Sequence, residues 1–267
     1  MKRSIDAWRA QTKLFLLPSL QYPLAMVFWQ VGVVLGPVIS LAVWSSVARS
    51  TRGPVGGYRA QDFAGYFLVL MVVYSATFTA SMYDIEGRIR SGALSGTLLL
   101  PVHPIVRDMA FTNAAQIQSL VIVMPTAVIL ARVFHAALHP ELWALVAFVP
   151  AVLLAAAVRF LVEWIIGLGA FWVTRLGAVY ATYYTALLFF SGQFAPLDLY
   201  PAPVRAAAAV LPFRWILQFP VELLLGRVSP RDALIGFAAQ GAWIVLSLLL
   251  LAGVWRAGVR RYSAVGA

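Results

Sequence analysis

The chain has 267 residues, of which 62% are hydrophobic and only 11% charged, against about a quarter charged in an ordinary soluble domain. The apolar residues gather in runs of roughly twenty or more, long enough to cross a hydrocarbon layer about 30 Å thick, which sets aside the secreted soluble, disordered and nucleic-acid-binding classes. Lys and Arg outnumber Asp and Glu by 20 to 10, but these cations lie in short clusters between apolar runs, as loops held against anionic headgroups do; with no cysteine, disulfides, Fe–S clusters and thiolate metal sites are excluded.

Residues 1–21 carry Lys2, Arg3, Arg9 and Lys13, with Ile5, Trp8 and Phe15 spaced to fall near one side of a helix. This predicts an amphipathic helix at the membrane interface. No short apolar stretch with a small-residue cleavage site precedes the first long run, so the segment is expected to be retained. Six apolar stretches follow, at 22–48, 63–82, 110–131, 142–173, 179–194 and 234–255. The fourth is too long for one perpendicular crossing, and Pro150 predicts a short interfacial piece before the true span. Residues 192–231 hold Pro196, Pro201, Pro203, Pro212, Pro220 and Pro230 among apolar side chains. Such a segment is no single helix and is too apolar for a free loop, so short helices dipping partway into the membrane are expected. The predicted fold class is therefore all-α: a polytopic membrane protein with six transmembrane helices, an interfacial N-terminal helix and a re-entrant segment before the last span.

Six spans put both termini on one side. If that side is the cytoplasm, eleven of the twenty Lys and Arg fall inside, eight fall outside, and Arg159 lies within a span. The basic flanks favour cytoplasmic termini. No internal repeat or linker divides the chain, so residues 1–267 read as one integral membrane domain.

Charge and apolarity alternate at short range between the second and third stretches. A helix there would align Ile85, Ile89 and Leu94 on one side and pair Glu86 with Arg90 four residues apart, before Pro101 and Pro104 end it. Two readings remain open from the residues alone: a solvated connector lying on the membrane, or a docking element for a partner.

The positions Glu86, Arg88, Gly92, Leu94, Leu99 and Pro101 resemble the cytoplasmic coupling segment of ABC-2 type transporter permeases. A second likeness lies in Gly192, Pro196, Leu197, Asp198 and Pro201, then Leu211, Pro212, Phe213, Pro220 and Gly226, which are similar to the outer segment of those permeases. The resemblance covers nearly the whole chain and is closest to short permeases accompanied by a sister permease and a separate ATPase. It implies a transport subunit rather than an enzyme, in the cell membrane, moving its substrate outward, with a second permease, identical or divergent, and a cytoplasmic ATPase as partners. Under it, residues 84–104 form the coupling segment, with Ile85, Glu86, Arg88, Ile89, Arg90 and Leu94 as its contacts and Gly92 and Pro101 shaping its exit. Pro196, Asp198, Pro201 and Pro212 mark the outer re-entrant segment, and spans one, two and five surround the path. The only lysines are Lys2 and Lys13, and neither follows a glycine, so the chain has no G-x-x-x-x-G-K-[ST] cradle for ATP. No cofactor is expected on this chain; ATP and Mg²⁺ belong to the partner ATPase.

Arg159 and Glu163 are four apart in the fourth stretch and should pair, because neither charge is tolerated alone in lipid. The pair reads either as a polar site on a substrate path or subunit contact, or as a structural bridge near the interface with Arg159 snorkelling. His135 and His139, with Glu141 behind them, have a spacing that Pro140 spoils for a metal, and His103 reads as a loop residue. Gly32 with Gly36, and Gly167 with Gly169, predict close helix approaches, mostly within the chain. The aromatic residues from Phe171 to Phe190 read as an interfacial belt with packing. Two rivals stay open: a lipid-modifying enzyme using Arg159, Glu163 and the outer arginines, and a non-catalytic assembly subunit.

Overall fold

The computed structural model describes residues 2–21, 23–51, 54–136 and 140–262. In chain order the helices are α1 (Lys2–Gln21), α2 (Pro23–Ser50), α3 (Ala60–Thr77), α4 (Ser81–Arg90), α5 (Leu94–Leu98), α6 (Pro104–Val133), α7 (Leu142–Gly167), α8 (Gly177–Phe190), α9 (Ala202–Val210), α10 (Pro212–Ile216), α11 (Gln218–Leu224) and α12 (Pro230–Arg261). A 3₁₀ turn, Leu168–Phe171, ends α7. Among the described residues there is no strand; the one bridge, between Val55 and Tyr58, closes a tight hairpin.

Five helical segments are long and apolar enough to cross a membrane: Gln30–Ser50, Ala60–Arg90, Pro104–Val133, Leu142–Phe171 and Pro230–Arg261. The fifth predicted stretch is instead a shorter apolar helix, Gly177–Phe190. Its length of about 21 Å at 1.5 Å per residue falls short of a full hydrocarbon layer. The expectation that Pro150 separates an interfacial piece from the fourth span is corrected, because α7 runs unbroken through that proline. Pro150 only deprives the Val146 carbonyl of its helical donor, a loss that a long, well-packed helix tolerates.

α3 is the central helix. From Phe63 to Met71 every residue is buried, as expected of a helix apolar on all sides, and α2, α6 and α7 pack around it. The second apolar stretch is not one straight helix. It breaks at residues 78–80, where Phe78 turns to ψ 139° and Ala80 to ψ 17° before α4 starts at Ser81.

The two ends of the bundle differ in what meets there. At one end α4 and α5 pack beside the 3₁₀ turn and the last turn of α12, and the Tyr262 hydroxyl donates to the Gly92 carbonyl at 2.9 Å. At the other, the 54–58 hairpin meets the segment before α12. There the Tyr58 hydroxyl donates to Asp198 at 3.0 Å, Arg227 donates to the Gly57 carbonyl at 3.1 Å, and the Trp44 indole donates to the Phe194 carbonyl at 3.0 Å.

Candidate functional site

α4 is amphipathic and lies with its apolar side against the chain. Ile85, Ile89 and Leu94 are buried with Phe160, Leu161, Trp164, Leu168 and Phe171. The backbones approach closely because Gly167 faces α4; a Cβ there would lie 2.7 Å from the Met82 carbonyl oxygen and 2.3 Å from the Ile85 side chain. Gly92 adopts φ +77°, a left-handed turn that suits glycine, and so redirects the chain from α4 into α5.

Polar contacts tie this short helix to α8 and α6, and through Asp108 of α6 to α7. The Glu86 carboxylate accepts from the Tyr180 hydroxyl of α8 at 2.7 Å and pairs with Arg90 at 3.4 Å. Arg88 pairs with Asp108 of α6, and the Trp164 indole of α7 donates to the same carboxylate at 2.8 Å. His103 caps α6 by accepting from the Ile105 amide at 3.2 Å, and its ring packs on Trp255.

Four of the residues expected as partner contacts are turned away from the open side of the elbow. Ile85 and Ile89 are buried by their helical spacing against α7, Leu94 joins them after the Gly92 turn, and Glu86 turns inward to Tyr180 of α8. The open side instead presents Arg90, Leu98, Leu99, Leu100 and Pro101, with Leu99 87% exposed. A run of three exposed leucines at a corner held rigidly from behind is an unsatisfied apolar surface.

Arg159 and Glu163 form a 3.0 Å ion pair with both side chains fully buried. Arg159 does not snorkel. Its guanidinium lies over the rings of Tyr74 and Phe78, 4.7 and 5.6 Å from their centroids, and donates to the Thr77 hydroxyl at 3.3 Å. Glu163 also accepts from the Tyr183 hydroxyl at 3.1 Å. Buried in this way, the pair faces neither solvent nor lipid, which removes the surface an enzyme would need to grip a headgroup with it.

The segment from Gly192 to α11 is anchored by its polar groups. Gly192 adopts φ +82°, and a Cβ there would meet the Tyr66 hydroxyl at 2.2 Å, the group that donates to the Gly192 carbonyl. Pro196 precedes a 3₁₀ turn holding Asp198, Pro201 is the N-cap of α9, and Pro212 is the first residue of α10. Each proline thus starts a short helix, where its missing N–H and fixed φ are compatible with the fold. The Gln218 carbonyl accepts from the Leu197 amide at 3.0 Å, while its amide donates to the buried Glu222 carboxyl, which Arg214 approaches at 3.8 Å. Burial pushes the Glu222 carboxyl up to about 7, with the Gln218 hydrogen bond and Arg214 opposing it. A carboxyl raised above its ordinary 4.5 holds a proton that the unfolded chain has lost, so stability falls as pH rises from about 4.5 to about 7. Glu222→Gln is expected to flatten that slope in thermal unfolding at stepped pH; an unchanged slope would place its origin elsewhere.

A groove of about 530 Å³ runs between α2, α3 and α8, lined by Phe28, Gly32, Gly36, Pro37, Tyr74, Phe78 and Phe194 among others. A Cβ at Gly32 or Gly36 would meet nothing within 4 Å, so these glycines are not packing contacts within the chain, contrary to expectation. Gly167 does mark a close approach. No group of three metal-binding side chains occurs among the described residues, and His139 lies outside them.

Several residues of this site carried no signal as site residues in the sequence. Asp108, Gln116, Trp164 and Tyr180 act across helices far apart in the chain, and only the hydroxyl-rich run Thr77, Thr79 and Ser81 hinted at the break before α4.

A body of helices, five of them long and apolar enough to cross a membrane, with a leucine-tipped elbow at one end defines a polytopic membrane protein. The chain belongs to the family described as ABC-2 family transporter protein, which matches residues 22–266. It is thus the membrane component of an ABC transporter and a multi-pass protein. No curated protein and no solved structure matches the chain.

Proposed function

We propose that this chain is half of the translocation path of an ATP-driven exporter in the cell membrane, paired with a second permease and driven by a separate cytoplasmic ATPase. The observation that carries the reading is the elbow formed by α4 and α5. Its apolar tip is open at Leu98, Leu99 and Leu100, while Glu86 binds it to α8 and Arg88 binds it to Asp108 of α6, which in turn accepts from Trp164 of α7. A force applied at the tip reaches three membrane helices through charge-assisted hydrogen bonds, as a two-state coupling requires. The family assignment and the absence of a phosphate-binding lysine motif support placing ATP and Mg²⁺ on the partner.

In this reading the elbow end is cytoplasmic. α8 starts beside α4, through Tyr180, and ends beside Tyr66 of α3 at the far end, so it counts as a sixth crossing despite its length. Both termini then face the cytoplasm, and residues 1–267 form one domain. α1, which bonds to the elbow half of α6 through Trp8 and Asn113 at 3.0 Å, lies at the cytoplasmic interface among lipid headgroups. Residues 192–231 form an outer re-entrant lid. The groove between α2, α3 and α8 faces the sister permease, and its apolar lining suits an apolar substrate leaving the cell.

The test is purification of the chain in mild detergent, expressed with its neighbouring genes. The expected result is co-purification of a second permease and a Walker-type ATPase with vanadate-sensitive hydrolysis. A chain that emerges alone, with no ATPase bound, would overturn the proposal.

A further inference from the structure

The break at residues 78–80 contains neither glycine nor proline, the usual causes of an interrupted helix. It exists because side chains from other helices satisfy the backbone it exposes, as non-helical chain within a membrane requires. Gln116 of α6 donates to the Phe78 carbonyl at 3.1 Å. The Thr79 hydroxyl accepts from the Ser81 amide at 3.1 Å and meets Thr112 at 3.2 Å. From the other side, Arg159 binds Thr77 and lies over both Tyr74 and Phe78, the rings that flank the break.

Two further observations bear on this arrangement. Tyr74 and Phe78 also line the groove between α2, α3 and α8. In addition, Arg159 Nη2, Glu163 Oε2 and Ser81 Oγ are buried and find no hydrogen-bond partner among the described residues. Unbonded buried atoms on both partners of an ion pair, and on the first residue of α4, make this cluster less tightly satisfied than the contacts around it.

We propose that residues 78–80 are the hinge on which the elbow turns relative to α3, and that Arg159 and Glu163 clamp it from α7. Arg159, Glu163, Thr77 and Gln116 are positioning residues: they set the angle of the elbow and, through Tyr74 and Phe78, the shape of the groove wall. The hinge rests on the proposed function only for the source of the force, and its geometry is testable on the isolated chain.

Because the chain has no cysteine, Gln61→Cys and Gly96→Cys provide two spin-label sites on opposite sides of the hinge without background. Both positions are exposed, and Gly96 has open space for a side chain. In lipid nanodiscs the parent chain is expected to give one narrow interlabel distance. Arg159→Met with Glu163→Leu, and separately Arg159→Lys, should each add a second distance shifted by about 5 Å, the scale of one helical turn. The lysine variant keeps the charge but not the planar fork, so a bridge serving only to neutralise charge would leave the distance unchanged. Should the double variant fail to insert, Thr77→Val and Gln116→Leu remove single contacts on the hinge and carry the same expectation. Unchanged distances in the variants that insert would overturn the hinge. Shifted distances in a chain that binds no ATPase would support the hinge and count against the coupling reading alone.

Discussion

Leu99→Asp is expected to leave the chain folded in the membrane and to abolish its association with the ATPase. Leu99 is 87% exposed and Leu100 56% exposed, so neither contributes to the core. An apolar anchor at the centre of an interface is typically worth 2 kcal/mol or more, and a carboxylate buried there unpaired adds its desolvation, together about 30-fold or more in affinity. Leu94→Asp makes the contrast. Leu94 is fully buried against α7 and its 3₁₀ turn, so a charge there should dislodge the elbow and lower the unfolding temperature as well. Yield of co-purified ATPase and the thermal midpoint, measured together, separate the two. Equal losses of stability in both variants would mean that the leucine tip is core rather than docking surface.

The second large effect concerns the ion pair. Glu163→Leu alone leaves the Arg159 guanidinium buried without its counterion and should destabilise the chain by about 3–5 kcal/mol. Replacing both partners, Arg159→Met with Glu163→Leu, should recover most of that loss, since apolar side chains of similar size suit the site. A denaturant titration in detergent reads both values. A double variant as unstable as the single one would show that stacking on Tyr74 and Phe78, rather than the charge balance, dominates the energetics.

Local spacing carried much of this organisation. The alternation of residues 83–101 set the buried face of Ile85, Ile89 and Leu94, and the i,i+4 spacing paired Glu86 with Arg90 and Arg159 with Glu163. The same logic failed where the decisive partner lies far away in sequence. Which side of α4 is open depends on α7 and α8, so spacing within the segment does not distinguish the buried Ile85, Ile89 and Leu94 from the exposed Leu98 and Leu100. Arg88 meets Asp108 and Tyr58 meets Asp198 only because helices fold back, and no pattern within either segment announces it. Pro150 misled in the opposite direction: the rule that proline ends a helix yielded to the packing of a 26-residue apolar helix. The break at 78–80 was hidden inside an apolar run because its cause is the set of hydrogen-bonding side chains around it.

If an ATPase drives this chain, the elbow at residues 84–101 is where it is expected to push. The most direct measurement places a photo-cross-linking residue at Leu99 in living cells and identifies the captured protein by mass spectrometry. A single major adduct with a protein carrying a G-x-x-x-x-G-K-[ST] motif is expected, lost when the cross-linker is moved to the exposed Val121 of α6. Adducts with lipid alone, or the same adduct from both positions, would contradict that expectation.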